Sequence, residues 1–144
     1  MLRISEVMTT DVEFIDPEAS IKDAAEMMGE LEVGALPAGS ADRIEGVVTD
    51  RDILYRVVAR GLDPTRVRVR EVLSRPVVAC PEDSTVQAAM DAMAANHIRR
   101  MPVQDTAGRV TGWITLADLS RKLLVESGTL QGALAGLTEA GATG

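Results

Sequence analysis

Residues 44–52 read IEGVVTDRD and residues 110–118 read VTGWITLAD. In each, a β-prone run passes through a glycine, Gly46 or Gly112, to a threonine, Thr49 or Thr115, and an aspartate follows three positions on, Asp52 or Asp118. Such a run ending in Thr-x-x-Asp predicts a strand feeding a helix start, because the hydroxyl can accept from a backbone N–H that the first helical turn leaves unbonded. Meeting the same junction twice in one chain makes an internal repeat the first thing to test.

Working outward from the two junctions, a displacement of 65 positions lays Val7 on Val72, Val12 on Val77, Ile21 on Val86, Ala24 on Ala89, Met28 on Met93 and Leu36-Pro37 on Met101-Pro102. One extra residue in the next loop makes the displacement 66, which puts Arg43 on Arg109 and superimposes the junctions. The chain divides accordingly into a first repeat (1–61), a linker (62–71), a second repeat (72–124) and a tail (125–144).

Both copies predict the same order of elements, βαββα. VEFI (12–15) and VVAC (77–80) read as short strands, closed by Pro17 and Pro81. Ile21, Ala24, Ala25, Met28 and Leu31 form one helical stripe, and Val86, Ala89, Met90 and Met93 a second, with Ser20 and Ser84 or Thr85 as N-caps. Hairpins follow over 33–38 with 44–49 and 98–104 with 109–115, turning at AGSADR and QDTAGR. The last helix of each copy turns Ile53, Leu54, Val57 and Val58, or Leu116, Leu119 and Leu123, inward. Pro64 and the arginines at 66, 68, 70 and 75 predict an exposed, irregular linker, and Leu130, Leu134 and Leu137 a weak stripe in the tail, with a Gly132-to-Gly136 spacing of the helix-packing kind.

Composition narrows the function. With 46% apolar and 26% charged residues the chain is an ordinary globular one, and with one Phe, one Tyr and one Trp its core must be aliphatic. A net charge of −7 repels a polyanionic duplex, so nucleic acid is not an expected partner. No apolar run is long enough to cross a bilayer, and MLRISEVMTT lacks the pattern of a signal peptide, so the cytoplasm is expected. One histidine, His97, and one cysteine, Cys80, leave little material for general-base chemistry or a zinc site; no catalytic residue and no metal ligand is assigned, and the chain is expected not to be an enzyme. Cys80 reads as a small buried apolar residue, with a redox- or metal-responsive dimer through Cys80 or His97 as the alternative.

The junctions themselves admit two readings. Each is a capping box, or each presents a hydroxyl and free N–H groups to a phosphate and a carboxylate to the two hydroxyls of a ribose.

The βαββα order, the strands GALPA (34–38) and RRMPV (99–103), and the helix starts GVVTDRD and GWITLAD resemble a tandem pair of CBS domains, a Bateman module, over about residues 3–124. VGALP, GVVTDRDI, GLDP and HIRRMPV are similar to stand-alone bacterial two-CBS proteins. The resemblance implies an α/β fold of two tandem βαββα units related by an approximate two-fold, with two clefts between them. It implies a regulatory module that requires no cofactor and binds AMP, ADP, ATP or another adenosyl ligand. Thr49 and Thr115 would contact phosphate or ribose, Asp52 and Asp118 the ribose hydroxyls, and Arg99 and Arg100 the phosphates. The first copy has Gly34-Ala35 where the second has the arginines, with Arg51 as a substitute, so the clefts are expected to differ. Ile15, Leu36, Cys80 and Met101 would surround adenine. The resemblance further implies a homodimer and an effector protein as partners, and a ligand-free interaction module is the other reading of the same family.

Overall fold

The sequence-level elements take shape in a computed structural model in which residues 2–126 are described. In chain order they are α1 (Ile21–Leu31), β1 (Ala35–Gly39), β2 (Ile44–Thr49), α2 (Asp50–Ile53), β3 (Cys80–Pro81), α3 (Val86–Asn96), β4 (Arg100–Gln104), β5 (Val110–Thr115) and α4 (Leu116–Glu126). Ser20 Oγ accepts from the Asp23 N–H at 3.1 Å and starts α1; Thr85, not Ser84, does the same for α3 through the Ala88 N–H at 3.1 Å. The tail stripe at Leu130, Leu134 and Leu137 and the Gly132-to-Gly136 spacing lie outside the described residues.

The hairpins superimpose in register. Ala35, Leu36 and Pro37 pair with Thr49, Val48 and Val47, and Arg100, Met101 and Pro102 pair with Thr115, Ile114 and Trp113. Each has its irregularity at the same step, Ala38/Gly39 and Val103/Gln104. The first strands are shorter than the sequence predicts. VEFI contributes one parallel bridge, Ile15 to Ala38, and VVAC contributes Cys80, which pairs with Val103 ahead of Pro81 and Gln104. Pro37 offers Ile15 only a carbonyl, and Pro17 has no N–H to carry the ladder on.

The helix stripes are also narrower than predicted. Ile21, Ala24 and Met28 are buried, but Ala25 is exposed and Leu31 is 40% exposed. After α2 the chain widens into a π-helical turn, Leu54–Val58, which buries Val57 and turns Leu54, Tyr55 and Val58 outward at 51%, 58% and 60% exposure. Leu119 is buried, whereas Leu123 points out.

Two aliphatic cores result, and each is completed by a segment from the far side of a repeat boundary. Val69, Val72 and Leu73 pack with Ile21, Leu36, Val48 and Val57, while Ile4 packs with Val86, Met93, Met101 and Ile114. The stretch read as an exposed linker is thus exposed at Arg66, Arg68 and Arg70 but buries Val69 fully. The exchange is symmetric under the 65-residue displacement. Thr9 and Trp113 exchange backbone hydrogen bonds, and so do Ser74 and Val47. The recurrent glycines permit this crossing. A Cβ on Gly46 would stand 3.0 Å from Leu73 Cβ and 3.1 Å from the Ser74 carbonyl oxygen, and one on Gly112 would run into the Met8 side chain.

Candidate functional site

Both junctions form as the sequence predicts, but they are not equivalent. At the end of β2, Thr49 Oγ1 accepts from the Asp52 N–H at 3.0 Å and Asp52 Oδ2 accepts from the Thr49 N–H at 3.0 Å, a complete capping box. Asp52 is held further by the Ser74 hydroxyl, which donates to Oδ2 at 3.1 Å, and by Arg56, whose Nε lies 3.8 Å from Oδ1. It is the one buried charged residue among those described, and its carboxylate is taken up by the protein itself.

At the end of β5, Thr115 Oγ1 accepts from the Asp118 N–H at 3.1 Å, but among the described residues no return bond joins the Asp118 carboxylate to the threonine. Its side chain is 49% exposed and, among the described residues, its one ion pair is with Arg121 at 3.4 Å. Thr9, the counterpart of Ser74, does not reach it. The cap reading therefore accounts fully for Asp52, while Asp118 keeps acceptor capacity toward solvent.

The two junctions open onto two clefts with matching walls. The smaller, about 480 Å³, is lined by Thr49, Asp50 and Arg51 on one side and by Val77, Val78 and the His97–Arg100 segment on the other. The larger, about 910 Å³, is lined by Thr115 and Asp118, and opposite them by Val12, Glu13 and the segment from Glu32 to Pro37. Under the displacement, Val12 and Glu13 correspond to Val77 and Val78, and Glu32 to His97. Glu32 and His97 end α1 and α3 in the left-handed region, at φ 56° and 54°, which turns the following residues along the cleft walls.

Several predicted site residues come together here. Thr49 and Arg51 line the smaller cleft, Thr115, Asp118 and Leu36 the larger, and Arg99 and Arg100 line both. Arg100 reaches across because residue 34 is glycine: its Nη2 lies 2.8 Å from where a Cβ would stand, with Asp50 Oδ2 at 2.9 Å from the same point. Asp52 lies behind the smaller cleft instead of on its wall. Ile15, Cys80 and Met101, read as adenine neighbours, sit in the two cores at 5%, 3% and 0% exposure and line neither cleft. Burial pushes the Cys80 thiol above its usual range. Among the described residues no three His, Cys, Asp or Glu side chains cluster so as to hold a metal.

Sequence reasoning missed Asp50, Glu13, Glu32 and Trp113 as lining residues. The displacement sets two of them, Glu13 and Glu32, against Val78 and His97 on the wall of the smaller cleft. His97 was read only as a metal or redox ligand and stands instead beside Arg99 at the smaller cleft.

Comparison with known proteins agrees with this architecture. Residues 4–59 and 69–125 each match the CBS domain. Hypoxic response protein 1 of Mycobacterium tuberculosis is 32% identical over 124 residues, spanning 85% of this chain and 86% of that protein. The CBS domain-containing protein YhcV of Bacillus subtilis is 34% identical over 120 residues, spanning 83% of this chain and 84% of the relative. The crystal structure of Hypoxic Response Protein I with two coordinated zinc ions superimposes with a TM-score of 0.74 at 31% identity, over 85% of this chain and 99% of that one. The CBS domain pair of protein MJ0100, in complex with 5′-methylthioadenosine and S-adenosyl-L-methionine, superimposes with a TM-score of 0.76 at 23% identity, over 85% and 96%.

Proposed function

The chain belongs to the CBS domain family and carries the domain as a tandem pair, a regulatory module, and from that premise we propose that it binds an adenine nucleotide or related adenosyl ligand in the clefts between its repeats. The observation that carries the reading is the Arg99–Arg100 pair standing at both clefts, each cleft also offering an N-capping threonine and an aliphatic wall. Planar, permanently charged guanidinium groups suit phosphate oxygens, and Asp118 is placed to accept from ribose hydroxyls. Val12, Leu31 and Val33, or Val77, Val78 and Ile98, form apolar surface for a purine. The ligands of the MJ0100 pair are adenosyl compounds, which supports the same ligand class on the same fold.

Signalling follows from linkage. A ligand that binds one arrangement of the repeats better shifts the population toward it, by no more than its differential affinity. The readout then passes to a second polypeptide. The outward Leu54, Tyr55 and Val58 supply an apolar face for a second copy of the chain, so a homodimer is expected; sedimentation velocity should find a dimer that Val58→Glu converts to a monomer, and a monomeric wild type would overturn it.

A thermal-shift titration tests the ligand. AMP or ATP at a hundred times its dissociation constant should stabilise the fold by about 2.7 kcal/mol. Asp118→Ala should remove the shift given by adenosine, whose ribose it is placed to hold, without lowering the melting temperature of the free protein, since its side chain is half exposed. A flat response across AMP, ADP, ATP and adenosine would overturn the reading in favour of a ligand-free interaction module. A redox role for Cys80 has less support, because Cys80 is buried.

A further inference from the structure

The two clefts share their arginines but not their carboxylates. Around the smaller stand three arginines, Arg51, Arg99 and Arg100, against one acid, Asp50, with His97 beside them. Around the larger stand the same Arg99 and Arg100 against four acids, Asp11, Glu13, Glu32 and Asp118. The pseudo-two-fold produces the contrast residue by residue: Glu13 and Glu32 face one cleft where Val78 and His97 face the other, and Arg51 faces one where Ala117 faces the other. Asp11, Glu13 and Glu32 are exposed and stand at the rim of the larger cleft.

Resting on the proposal that these clefts take adenosyl ligands, we infer that they sort them by charge. The smaller cleft takes the phosphorylated ligand, and the larger takes an uncharged or cationic nucleoside. A triphosphate brings several negative charges. In the smaller cleft it meets an arginine excess, whereas in the larger it meets carboxylates at the rim that repel it, a standard way of rejecting a wrong ligand. The larger cleft keeps what an uncharged nucleoside needs: Asp118 for the ribose, and Leu31, Val33 and Trp113 as apolar surface. A cationic substituent on the nucleoside would be drawn to the same acids.

Sharing adds a coupling. Among the described residues the guanidinium groups of Arg99 and Arg100 make no hydrogen bond or ion pair within the protein, and Arg100 passes over Gly34 beside Asp50. A polyphosphate in the smaller cleft engages these arginines and leaves the larger cleft more negative. Binding of the triphosphate should therefore strengthen binding of a cationic nucleoside, and by reciprocity the converse holds.

Trp113 makes the test direct. It is the single tryptophan of the chain and lines the larger cleft alone, so its fluorescence reports that cleft while calorimetry counts all bound ligand. With the full chain at low salt, ATP should bind one per chain and leave Trp113 emission unchanged, and adenosine and S-adenosylmethionine should change it. Arg51→Glu should weaken ATP about ten- to a hundredfold, the loss expected for a charge-assisted contact, and leave the adenosine response in place. The double variant Glu13→Gln, Glu32→Gln should admit a second ATP, seen at Trp113. ATP changing Trp113 emission in the wild type as strongly as adenosine, Arg51→Glu leaving ATP affinity unchanged, or adenosine binding without moving Trp113 would each overturn the sorting while leaving adenosyl binding intact. No heat and no fluorescence change with any of the three compounds would overturn both together.

Discussion

At the scale of single residues, identical motifs have come to different uses. Thr49-x-x-Asp52 and Thr115-x-x-Asp118 are indistinguishable as strings, and both place a threonine hydroxyl on the N–H three residues on. What separates them lies elsewhere in the chain: Ser74 and Arg56 close over Asp52, whereas among the described residues Asp118 has only the exposed Arg121 beside it. The twin junctions were therefore legible in the sequence, and their inequality was not, since it depends on contacts made from 22 positions away. The consequence for stability is opposite to that for binding. Asp52→Asn keeps the shape but removes a charged acceptor from the Thr49 N–H and the Ser74 hydroxyl, so urea unfolding should show a loss of about 1–3 kcal/mol with or without ligand. A loss below the error of the measurement would mean that the buried network contributes nothing.

At the scale of elements, periodicity located what local physics controls and blurred what the tertiary fold controls. The hairpins, the helix starts and the inward Ile21, Ala24, Met28 and Val86, Ala89, Met93 were all readable from spacing. The reduction of VEFI to a bridge was not, because it reflects how few partners the neighbouring strand offers. Nor was the outward turn of Leu54 and Val58, since a π-helical turn shifts the apolar phase away from the 3.6-residue period. The repeated glycine is the instructive case. Gly46 and Gly112 were visible as a matching pair, but their reason is the crossing of the Leu73-Ser74 and Met8-Thr9 segments over each strand. The two obstacles differ, being mainly backbone and Cβ at Gly46 and a pliable methionine end at Gly112. Gly46→Ala should therefore cost about 1–3 kcal/mol in chemical denaturation and Gly112→Ala markedly less, because a flexible thioether can move aside. Equal losses would contradict this account of the crossing.

At the scale of the whole molecule, the exchanged segments make the two repeats one cooperative body. Ile4 is buried among residues more than 80 positions later in the chain, and Val69 is buried in the core of the repeat before it. A ligand held between the repeats thus bears on the surfaces that each repeat lends the other, which gives a small molecule leverage over the arrangement of the pair. The net charge of −7 conceals the detail that matters, since the arginine excess at one cleft and the acid excess at the other cancel in any sum. Composition disfavours a polyanionic duplex but says nothing of a nucleotide, whose recognition depends on a few side chains at a cleft.

Amide mapping by heteronuclear NMR, suited to a chain of 15.3 kDa, tests the central claim most directly. On addition of ATP and of adenosine in turn, the account predicts saturable shifts confined to the cleft walls, at Thr49–Arg51 and Ile98–Arg100 for the first and at Val33–Leu36 and Thr115–Asp118 for the second. An unchanged spectrum at millimolar ligand, or shifts spread over surfaces away from both clefts, would contradict it.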